Sequence, residues 1–411
     1  MRHGLSTIRT SLDAAATSGE IPCRAQILNH KGPFMRIDPE AVYLLYSPID
    51  DDHAPFATYR DLAYKALGAL ELDLPANGSI LLKPNATVLY PPDKRVITHP
   101  GFLAGLLDTL LEGGVEAQRL VVGDGQSGEH SKHGHTWALA GYSGALDGRG
   151  VRLAELNRFP SRRVDVPDGV VYDQYPIYEE VADCAFFFNV PLAKCHNLGC
   201  TTLSIKNLMG ILGRPERHLC SVQEIDKPHD ADLWRLTDSG LSLFEDRFYH
   251  KLCDLVAALR QLDMPRLNIV DGLIGRDGTA FNEGQNYPLG WTVAGQNEVH
   301  VDSVATYLMG LDPQATPYLQ FAQKRGLGTN RIDKIEIVDL GTQQPLAGPA
   351  LQAIRRAEPL MPVSRCKDGY YKRFNADGSA APWRIDEINA QRAADGLAPI
   401  AVEQASDHVR A

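Results

Sequence analysis

Two apolar patterns alternate along the chain and predict an α/β protein. Short runs that are apolar throughout are typical of strands buried on both faces, whereas apolar residues three and four positions apart are typical of helices. The segments that favour strand are 79–83, 120–124, 182–190, 267–271 and 334–340. The segments that favour helix are 59–70, 100–111, 244–259 and 301–308. Strand, helix, strand order with short connections predicts right-handed crossovers, and so mostly parallel, Rossmann-like sheets with helices on both faces.

The length of the chain predicts more than one layered unit. At 411 residues it exceeds the usual size of a single hydrophobic core, so we expect two intimately joined α/β halves with terminal extensions. The predicted parts are an N-terminal extension over 1–75, a first half over 76–180, a second half over 181–345 and a C-terminal extension over 346–411. Sequence rich in Pro and Asp marks both extensions.

The overall charge excludes several classes of partner. Acidic residues outnumber basic ones by 51 to 41, for a formal net charge of −10, so the bulk field attracts neither nucleic acid nor an anionic membrane. An anionic ligand needs a local basic pocket. Apolar runs such as 184–190 are much shorter than a bilayer span, and residues 1–23 hold no continuous apolar region. We therefore expect a cytoplasmic protein without a membrane span or an export signal.

The seven cysteines favour a reducing compartment. They are odd in number, irregularly spaced and include no Cys-x-x-Cys pair. This pattern argues against a disulfide framework, and it removes the usual signs of a zinc ribbon or a ferredoxin-type cluster. We expect no internal iron–sulfur cluster.

Polar residues with binding chemistry follow the first predicted strand. Lys83 ends it and Asn85 comes directly after, and in open parallel sheets the loops at the carboxyl ends of strands form the ligand crevice. A surface lysine beside a turn-forming Pro-Asn pair is an equally good account. Thr98 and His99 then precede Pro100, where they can cap the predicted helix, or its N–H groups can receive an anion. Lys83 is a catalytic candidate, and the other three are binding candidates.

A glycine-rich loop follows the next strand. Gly123, Asp124 and Gly125 begin it, and its glycines would let the backbone approach a ligand closely. The spacing Gly-x-Gly-x-x-Gly is present, but the sequence after it is a poor helix start, so the loop is not a dinucleotide fingerprint. We expect these three residues to bind a substrate or cofactor.

Three histidines crowd the continuation of this loop. His130, His133 and His135 lie within six residues, beside Asp124 and Glu129. Imidazole and carboxylate groups are ligands for zinc and iron, so a divalent metal is a candidate cofactor. The spacing matches no standard site, and a solvated polar loop is the simpler explanation.

The densest set of candidates lies between residues 189 and 210. Here a strand gives way to a loop and then to a helix predicted to begin at 201 or 202, which would place Thr202 and Lys206 on one helix face. Lys194 and His196 would approach from the loop. Two lysines, an imidazole and a helix N-terminus suit a carboxylate or phosphate, and a desolvated lysine can act as a base or nucleophile. Exposed lysines on an amphipathic helix are the alternative. The catalytic candidates are Lys194, His196 and Lys206, and the binding candidates are Thr202, Ser204 and Asn207.

Carboxylates late in the chain complete the set. Asp271 ends the predicted strand 267–271 and is a catalytic candidate in the same crevice. Together with Asp124 it would orient a base or hold a metal. Asp302 lies at the start of the helix 301–308, where capping is its simplest role.

The order of these motifs resembles family 362 of the domains of unknown function, a widespread prokaryotic family. The resemblance spans roughly residues 80–328. It is carried by Leu-Lys-Pro-Asn at 82–85, Thr-His-Pro at 98–100, Val-Gly-Asp-Gly at 122–125, Val-Pro-Leu-Ala-Lys at 190–194, Leu-Ser-Ile-Lys-Asn-Leu-Met-Gly at 203–210, Ile-Val-Asp-Gly at 269–272, and Val-Asp at 301–302 with Met-Gly at 309–310.

The resemblance implies little about activity, because the family is defined by its sequence. Relatives often carry a ferredoxin-type cluster module and a twin-arginine export signal. This chain shows neither pattern, which favours the cytoplasm and argues against an internal cluster. Where relatives show Lys-Thr-His, this chain has Lys194-Cys-His196. The arrangement is also similar, more distantly, to lactate-racemase-type proteins.

The leading hypothesis is a cytoplasmic enzyme that binds a small anionic substrate or cofactor, a carboxylate or phosphate, between two α/β halves. Lysine and histidine side chains would supply positive charge or proton transfer, and both isomerase- or lyase-type proton transfer and oxidoreductase chemistry are left open. The alternatives are a metal-binding protein or metal-dependent oxidoreductase that uses the three histidines, and a non-catalytic assembly protein. The sequence leaves open whether the protein forms a homodimer.

Overall fold

The computed structural model describes residues 35–86, 90–125, 136–213, 235–279, 283–362 and 374–404. Within those ranges the chain forms seventeen strands and eleven helices. The strands are β1 (Met35–Arg36), β2 (Val42–Tyr46), β3 (Leu70–Glu71), β4 (Ile80–Pro84), β5 (Leu120–Asp124), β6 (Arg152–Glu155), β7 (Ser161–Asp165), β8 (Gln174–Tyr178), β9 (Phe186–Val190), β10 (Leu192–His196), β11 (Cys200–Thr202), β12 (Arg235–Leu236), β13 (Arg266–Arg276), β14 (Asn286–Gly295), β15 (Ile337–Asp339), β16 (Gln344–Pro345) and β17 (Glu403–Gln404). The helices are α1 (Phe56–Gly68), α2 (Pro100–Glu112), α3 (Thr136–Leu139), α4 (Tyr142–Leu146), α5 (Glu179–Ala182), α6 (Ser204–Asn207), α7 (Leu243–Gln261), α8 (Glu298–Leu308), α9 (Pro317–Lys324), α10 (Gly348–Ile354) and α11 (Ile385–Ala394).

One sheet of eleven strands organises the molecule. Along its hydrogen-bonded path the order is β16-β15-β2-β14-β13-β9-β4-β5-β6, and β10 and β11 branch from β13. All pairings from β13 through β9, β4 and β5 to β6 are parallel, whereas β14 pairs antiparallel with both of its neighbours. The sheet is therefore mostly parallel, which confirms the fold class predicted from the order of strands and helices.

Helices cover both faces of the parallel strands, which explains why these strands are apolar throughout. In β4, Ile80 and Leu82 lie in a core that includes the buried faces of α1 and α2, and Leu81 lies in a second core with α7. In β9, Phe188 belongs to the first core and Phe187 to the second. Successive side chains of a strand point to opposite faces, so burial of both faces requires an unbroken apolar run.

The chain passes along one side of β13 in two consecutive strands. β9 pairs in parallel with the first part of β13, and β10 pairs in parallel with the second part. Pro191 separates β9 from β10, and its carbonyl accepts the backbone N–H of Asp271 at 2.8 Å. β11 then turns back on β10 in an antiparallel pair. The β10–β11 hairpin therefore extends the sheet beyond the carboxyl ends of β4 and β9.

Several predicted elements are confirmed closely, and several boundaries were wrong. β5 and α2 agree with their predicted ranges to within one residue. The helix predicted to begin at 201 or 202 was wrong, because Thr202 belongs to β11 and α6 begins only at Ser204. Thr202 and Lys206 are therefore not neighbours on a helix.

The prediction that the strand 267–271 ends at Asp271 was also wrong. β13 continues to Arg276. Gly272 does not stop the strand, because it makes room for the ring of Trp291 on β14: a Cβ at position 272 would lie 2.1 Å from that ring. The polar residues of the second part of β13 thus belong to the sheet.

Residues 35–75 contribute both to the main sheet and to the helices that cover it. β2 lies inside the main sheet between β14 and β15, and α1 packs closely on α2, where Gly105 faces Ala63. The division into two halves and two extensions stays a prediction. In the part of the chain that the structure describes, no helix combines the length and apolarity needed to cross a bilayer.

Candidate functional site

A fully buried ion pair joins the ends of two neighbouring strands. Nζ of Lys83 on β4 lies 2.8 Å from Oδ1 of Asp124, the last residue of β5, and both side chains are 0% exposed. The same ammonium group donates to the Pro84 carbonyl at 3.0 Å and to Oδ1 of Asn207 at 3.1 Å. Oδ2 of Asp124 accepts the Ala86 N–H at 2.7 Å. The two charges are stable in the interior because each is both paired and hydrogen-bonded.

A chain of buried amide side chains runs from this ion pair, and we name it the amide ladder: Asn85, Asn207, Asn189 and Asn268. Oδ1 of Asn207 accepts from Nδ2 of Asn85 at 3.1 Å. Nδ2 of Asn207 donates to Oδ1 of Asn189 at 2.8 Å, and Nδ2 of Asn189 donates to Oδ1 of Asn268 at 2.8 Å. Asn189 is the register partner of both Lys83 and Asn268. Because each amide oxygen must meet a donor, the ladder fixes the orientation of Asn207 toward Lys83.

The segment that leads into α2 crosses the ends of three strands and is bound to each. The Thr98 hydroxyl donates to the Val190 carbonyl at 2.7 Å and accepts the Asn85 N–H at 2.8 Å. The His99 N–H donates to Oδ2 of Asp271 at 2.8 Å. Residues that follow β4, end β9 and lie within β13 are thereby brought together.

An aromatic and charged cluster surrounds His99. Its ring stacks on Tyr59 with centroids 3.7 Å apart, and the Arg95 guanidinium lies 4.9 Å from the centre of the Tyr59 ring. Nδ1 of His99 accepts the Gly101 N–H at 3.1 Å and so caps α2. Burial, together with the positive charge of Arg95, lowers the pKa of His99 to about 3. Burial raises the pKa of Asp271 to about 7, although the His99 N–H and Arg95 act in the opposite direction.

Three strands bring two cations and a hydroxyl group into one row, which we name the cationic row: Thr202, Lys194 and Arg276. Lys194 on β10 is the register partner of Thr202 on β11 and of Arg276 on β13, and register partners present their side chains on one face. All three are buried. Nζ of Lys194 donates to the Val96 carbonyl at 2.6 Å. Among the described residues, the Thr202 hydroxyl has no hydrogen-bond partner.

Positive charge is concentrated around Lys194. Burial, together with the charges of Lys206 and Arg276, lowers the pKa of Lys194 to about 7, while Asp124 acts in the opposite direction. Lys206 on α6 is half-buried. Lys194 therefore gains or loses a proton near neutral pH.

The His196 side chain adds a neutral donor next to these lysines. Its Nδ1 accepts the N–H groups of Leu198 and Gly199, both at 3.0 Å. Burial, together with the charges of Lys206 and Lys194, holds its pKa well below the usual range. Because Nδ1 is an acceptor in a neutral ring, Nε2 carries the proton.

The amino terminus of α6 is occupied by Asp302. Oδ1 of this residue accepts the Ser204 N–H at 2.7 Å, and Oδ2 accepts the Ile205 N–H at 3.0 Å. The expectation that this helix end helps to receive an anion was wrong, because an internal carboxylate already offsets its partial positive charge. The capping role expected for Asp302 at its own helix was also wrong, since α8 begins at Glu298 with Asn297 as its N-cap.

Glycines in the predicted loop let the backbone pack closely around the ion pair. The Gly125 N–H donates to the Gly210 carbonyl at 3.0 Å, and a Cβ at position 125 would lie 2.3 Å from that oxygen. A Cβ at Gly210 would lie 2.1 Å from Oδ1 of Asp124. At Gly123 the nearest atom to a Cβ would be the Ala154 carbonyl oxygen, at 3.0 Å. The close approach that these glycines allow is to the protein's own backbone and side chains.

The candidate metal ligands His130, His133 and His135 lie outside the described residues. Within the described ranges, Asp51, Asp52 and His53 form a group whose ligand atoms lie within 4.8 Å of one another. They follow β2 on the surface, where acidic groups are common without a metal. This group supports no metal site.

Five residues of the assembled site were not among the candidates expected from the sequence: Tyr59, Arg95, Asn189, Asn268 and Arg276. A polar residue inside an apolar strand is costly unless it has a partner. Asn268, which lies within the predicted strand 267–271, could therefore have been recognised from the sequence as a residue with a buried hydrogen-bond partner. Arg276 was missed because the strand was predicted to end five positions before it. Tyr59 and Arg95 lie far from each other in sequence, and only their stacking near His99 reveals them.

Comparison with known proteins assigns the chain to a family. The family model for a domain of unknown function, DUF362, matches residues 80–307, more than half of the chain. The chain belongs to the DUF362 family. The matched region of this DUF362 protein runs from β4 into α8 and contains both the ion pair and the cationic row. The resemblance drawn from the motif order is thus confirmed, whereas the similarity to lactate-racemase-type proteins and the ferredoxin link stay predictions.

Two further similarities extend this comparison. A thylakoid-associated protein of Synechocystis is 23% identical over 293 residues, which cover 70% of this chain and 80% of that protein. A crystal structure of a Thermotoga maritima protein matches 58% of this chain and 55% of that chain, with 11% identity and a TM-score of 0.33. The chain thus spans about half the length of the Thermotoga protein.

Proposed function

We propose that this DUF362 protein is a cytoplasmic enzyme that binds a small anion, a carboxylate or phosphate, at the cationic row. The observation that supports the proposal is the convergence of cations on buried Lys194: Arg276 is its register partner, and the charges of Lys206 and Arg276 both lower its pKa. A bound anion would offset the like charges that these cations bring together away from water.

The side chains of the row match the oxygens of such an anion. A guanidinium group presents two N–H groups to a carboxylate or phosphate, and an ammonium group adds a point charge. The Thr202 hydroxyl, which has no partner among the described residues, supplies a further donor on the same face. Lys206, whose charge acts on Lys194, is half-buried and so is in partial contact with solvent.

The neighbouring groups support proton transfer to or from the bound molecule. A general acid or base works best when its pKa lies near the working pH, and the pKa of Lys194 is lowered to about 7. Neutral His196 offers its Nε2–H as a donor beside Lys194. Asp271, with its pKa raised to about 7, is a second base candidate where β13 meets the segment before α2.

Calorimetric titration with inorganic phosphate and with acetate tests the proposal. We expect one or both to bind the wild-type protein and Lys206→Met to bind about ten-fold or more weakly, since a hydrogen bond to a charged group contributes about 1.5–3 kcal/mol. Lys65→Met makes the same change at an exposed lysine of α1 and should bind as the wild type does. A wild-type protein that binds neither probe, or a Lys206→Met variant that loses stability but not affinity, contradicts the proposal.

A further inference from the structure

Helix α6 is too short to be stable by itself. It has four residues, Ser204–Asn207, whereas isolated helices shorter than about 12 residues are marginal in water. It nevertheless carries Lys206, whose charge acts on Lys194, and Asn207, which accepts a hydrogen bond from Lys83. Contacts from other elements must therefore fix this helix.

A carboxylate on α8 provides those contacts. The two oxygens of Asp302 accept the N–H groups of Ser204 and Ile205 at 2.7 Å and 3.0 Å. The Tyr318 hydroxyl donates to Oδ2 of Asp302 at 3.2 Å and lies 3.0 Å from Oγ1 of Thr201 on β11. Asp302 is 0% exposed. The start of α6 and the preceding strand are thus bound to one buried point.

We infer that Asp302 is a positioning residue for the anion site, because it fixes the start of α6 and so places Lys206 near the cationic row and Asn207 against Lys83. The inference rests on the proposed function. The hydrogen bonds of Asp302 to described residues go to the backbone of α6 and to Tyr318, and none goes to a lysine of the site. Its effect on an anion must therefore pass through the helix.

Glu298 offers a matched control on the same helix. It is also a carboxylate with 0% exposure, and it pairs with Arg260 at 2.9 Å and Arg266 at 2.6 Å. These partners belong to α7 and β13 and not to α6. Glu298→Gln therefore disturbs a buried carboxylate of α8 without releasing the start of α6.

The first experiment is a calorimetric titration of inorganic phosphate into five proteins: wild type, Asp302→Asn, Glu298→Gln, Lys206→Met and the double variant Asp302→Asn/Lys206→Met. We expect Asp302→Asn to bind phosphate on the order of ten-fold more weakly, an effect typical of groups that orient binding residues. Glu298→Gln should bind as the wild type does. If Asp302 acts through α6, the double variant binds no more weakly than Lys206→Met alone.

Hydrogen exchange adds a measurement that does not depend on binding. The backbone N–H groups of Ser204 and Ile205 should exchange faster in Asp302→Asn and at the wild-type rate in Glu298→Gln. If Asp302→Asn does not fold, Tyr318→Phe replaces it. This change removes one of the three donors to the Asp302 carboxylate, so phosphate affinity and hydrogen exchange should change in the same direction but by less.

The outcomes separate this inference from the proposed function. A wild-type protein that binds neither phosphate nor acetate overturns both, and where acetate alone binds, it replaces phosphate in these titrations. A wild-type protein that binds phosphate, with unchanged affinity in Asp302→Asn or Tyr318→Phe, overturns the inference alone. Equal losses in Asp302→Asn and Glu298→Gln, or additive losses in the double variant, also overturn it, since either result assigns Asp302 a general role in stability.

Discussion

Breaking the buried ion pair should destabilise the protein far more than breaking an exposed one. Lys83 and Asp124 lie 2.8 Å apart with both side chains 0% exposed. Lys83→Met leaves the Asp124 carboxylate with the Ala86 N–H as its remaining hydrogen-bond donor among the described residues. Asp124→Asn removes the Asp124 carboxylate from the Lys83 ammonium, which keeps the neutral oxygens of Pro84 and of the Asn207 side chain as acceptors. Each single change therefore removes one of the two opposite charges of a buried ion pair.

The geometry sets the size of the effect. At 2.8 Å, Coulomb's law with an effective dielectric of about 20 gives an attraction of about 6 kcal/mol as a ceiling. Removing one partner of a buried pair typically costs about 3–5 kcal/mol, and the lower end applies here because the stranded group can change its protonation state. The double variant Lys83→Met/Asp124→Asn strands no charge, so it should cost about as much as one single change and not the sum of both.

Equilibrium urea unfolding followed by tryptophan fluorescence measures these free energies. Arg384→Met is the control, because Arg384 pairs with Glu387 on the surface, where the two side chains are 59% and 51% exposed; it should cost less than about 1 kcal/mol. If the double variant loses the full sum of the single losses, the two charges are not coupled in the native state. If each single change costs no more than the control, the pair is accessible to water and the reasoning fails.

Two further predictions concern charge and packing. Under the proposed function, Lys194 would bind an anion in its protonated form, and its pKa is lowered to about 7. Sulfate affinity should therefore fall about ten-fold between about pH 6 and pH 8, and Lys194→Met should remove most of this dependence; a pH-independent affinity in the wild type contradicts it. Gly210→Ala would place a Cβ 2.1 Å from Oδ1 of Asp124 and 2.7 Å from Cε of Lys83, at a cost of about 1–3 kcal/mol in urea unfolding. The matched change Gly144→Ala, where nothing lies within 4 Å, should be neutral or stabilise α4 by about 0.5–1 kcal/mol, and equal losses at both positions would refute the packing argument.

Local apolar pattern was enough to place the strands and helices with strong boundaries. β5 is a run of four apolar residues followed by Asp124, and α2 begins at Pro100 and ends before Gly113, so each boundary coincides with a residue that favours it. The β10–β11 hairpin was not predicted, although Asn197 and Gly199 in its turn are turn-forming residues. Cys200 begins β11 with a φ of 67°, a backbone conformation that sequence rarely signals at cysteine.

Only the part of the candidate site that lies at the carboxyl ends of predicted parallel strands could be found from the sequence. Lys83 and Asp124 were found by that rule, since both lie at the carboxyl ends of adjacent parallel strands. The cationic row could not be found in the same way, because it depends on the register of β10 against the second part of β13. Register is set by side-chain packing between strands that are distant in sequence. The second part of β13 was not predicted because a glycine such as Gly272 is typical of a strand end. Its actual role, to make room for Trp291, depends on β14, which comes later in the chain.

The unbroken sheet limits how the site can open. From β6 to β16 each strand is hydrogen-bonded to the next, and the ion pair and the cationic row lie on either side of the junction between β9 and β13. A hinge at that junction would have to break the parallel ladder that joins Phe187, Phe188 and Asn189 to β13. Rigid-body rotation of one side against the other is therefore excluded as a route of entry. Under the proposed function, a ligand would reach the buried lysines by local movement at the strand ends, with the sheet left unbroken.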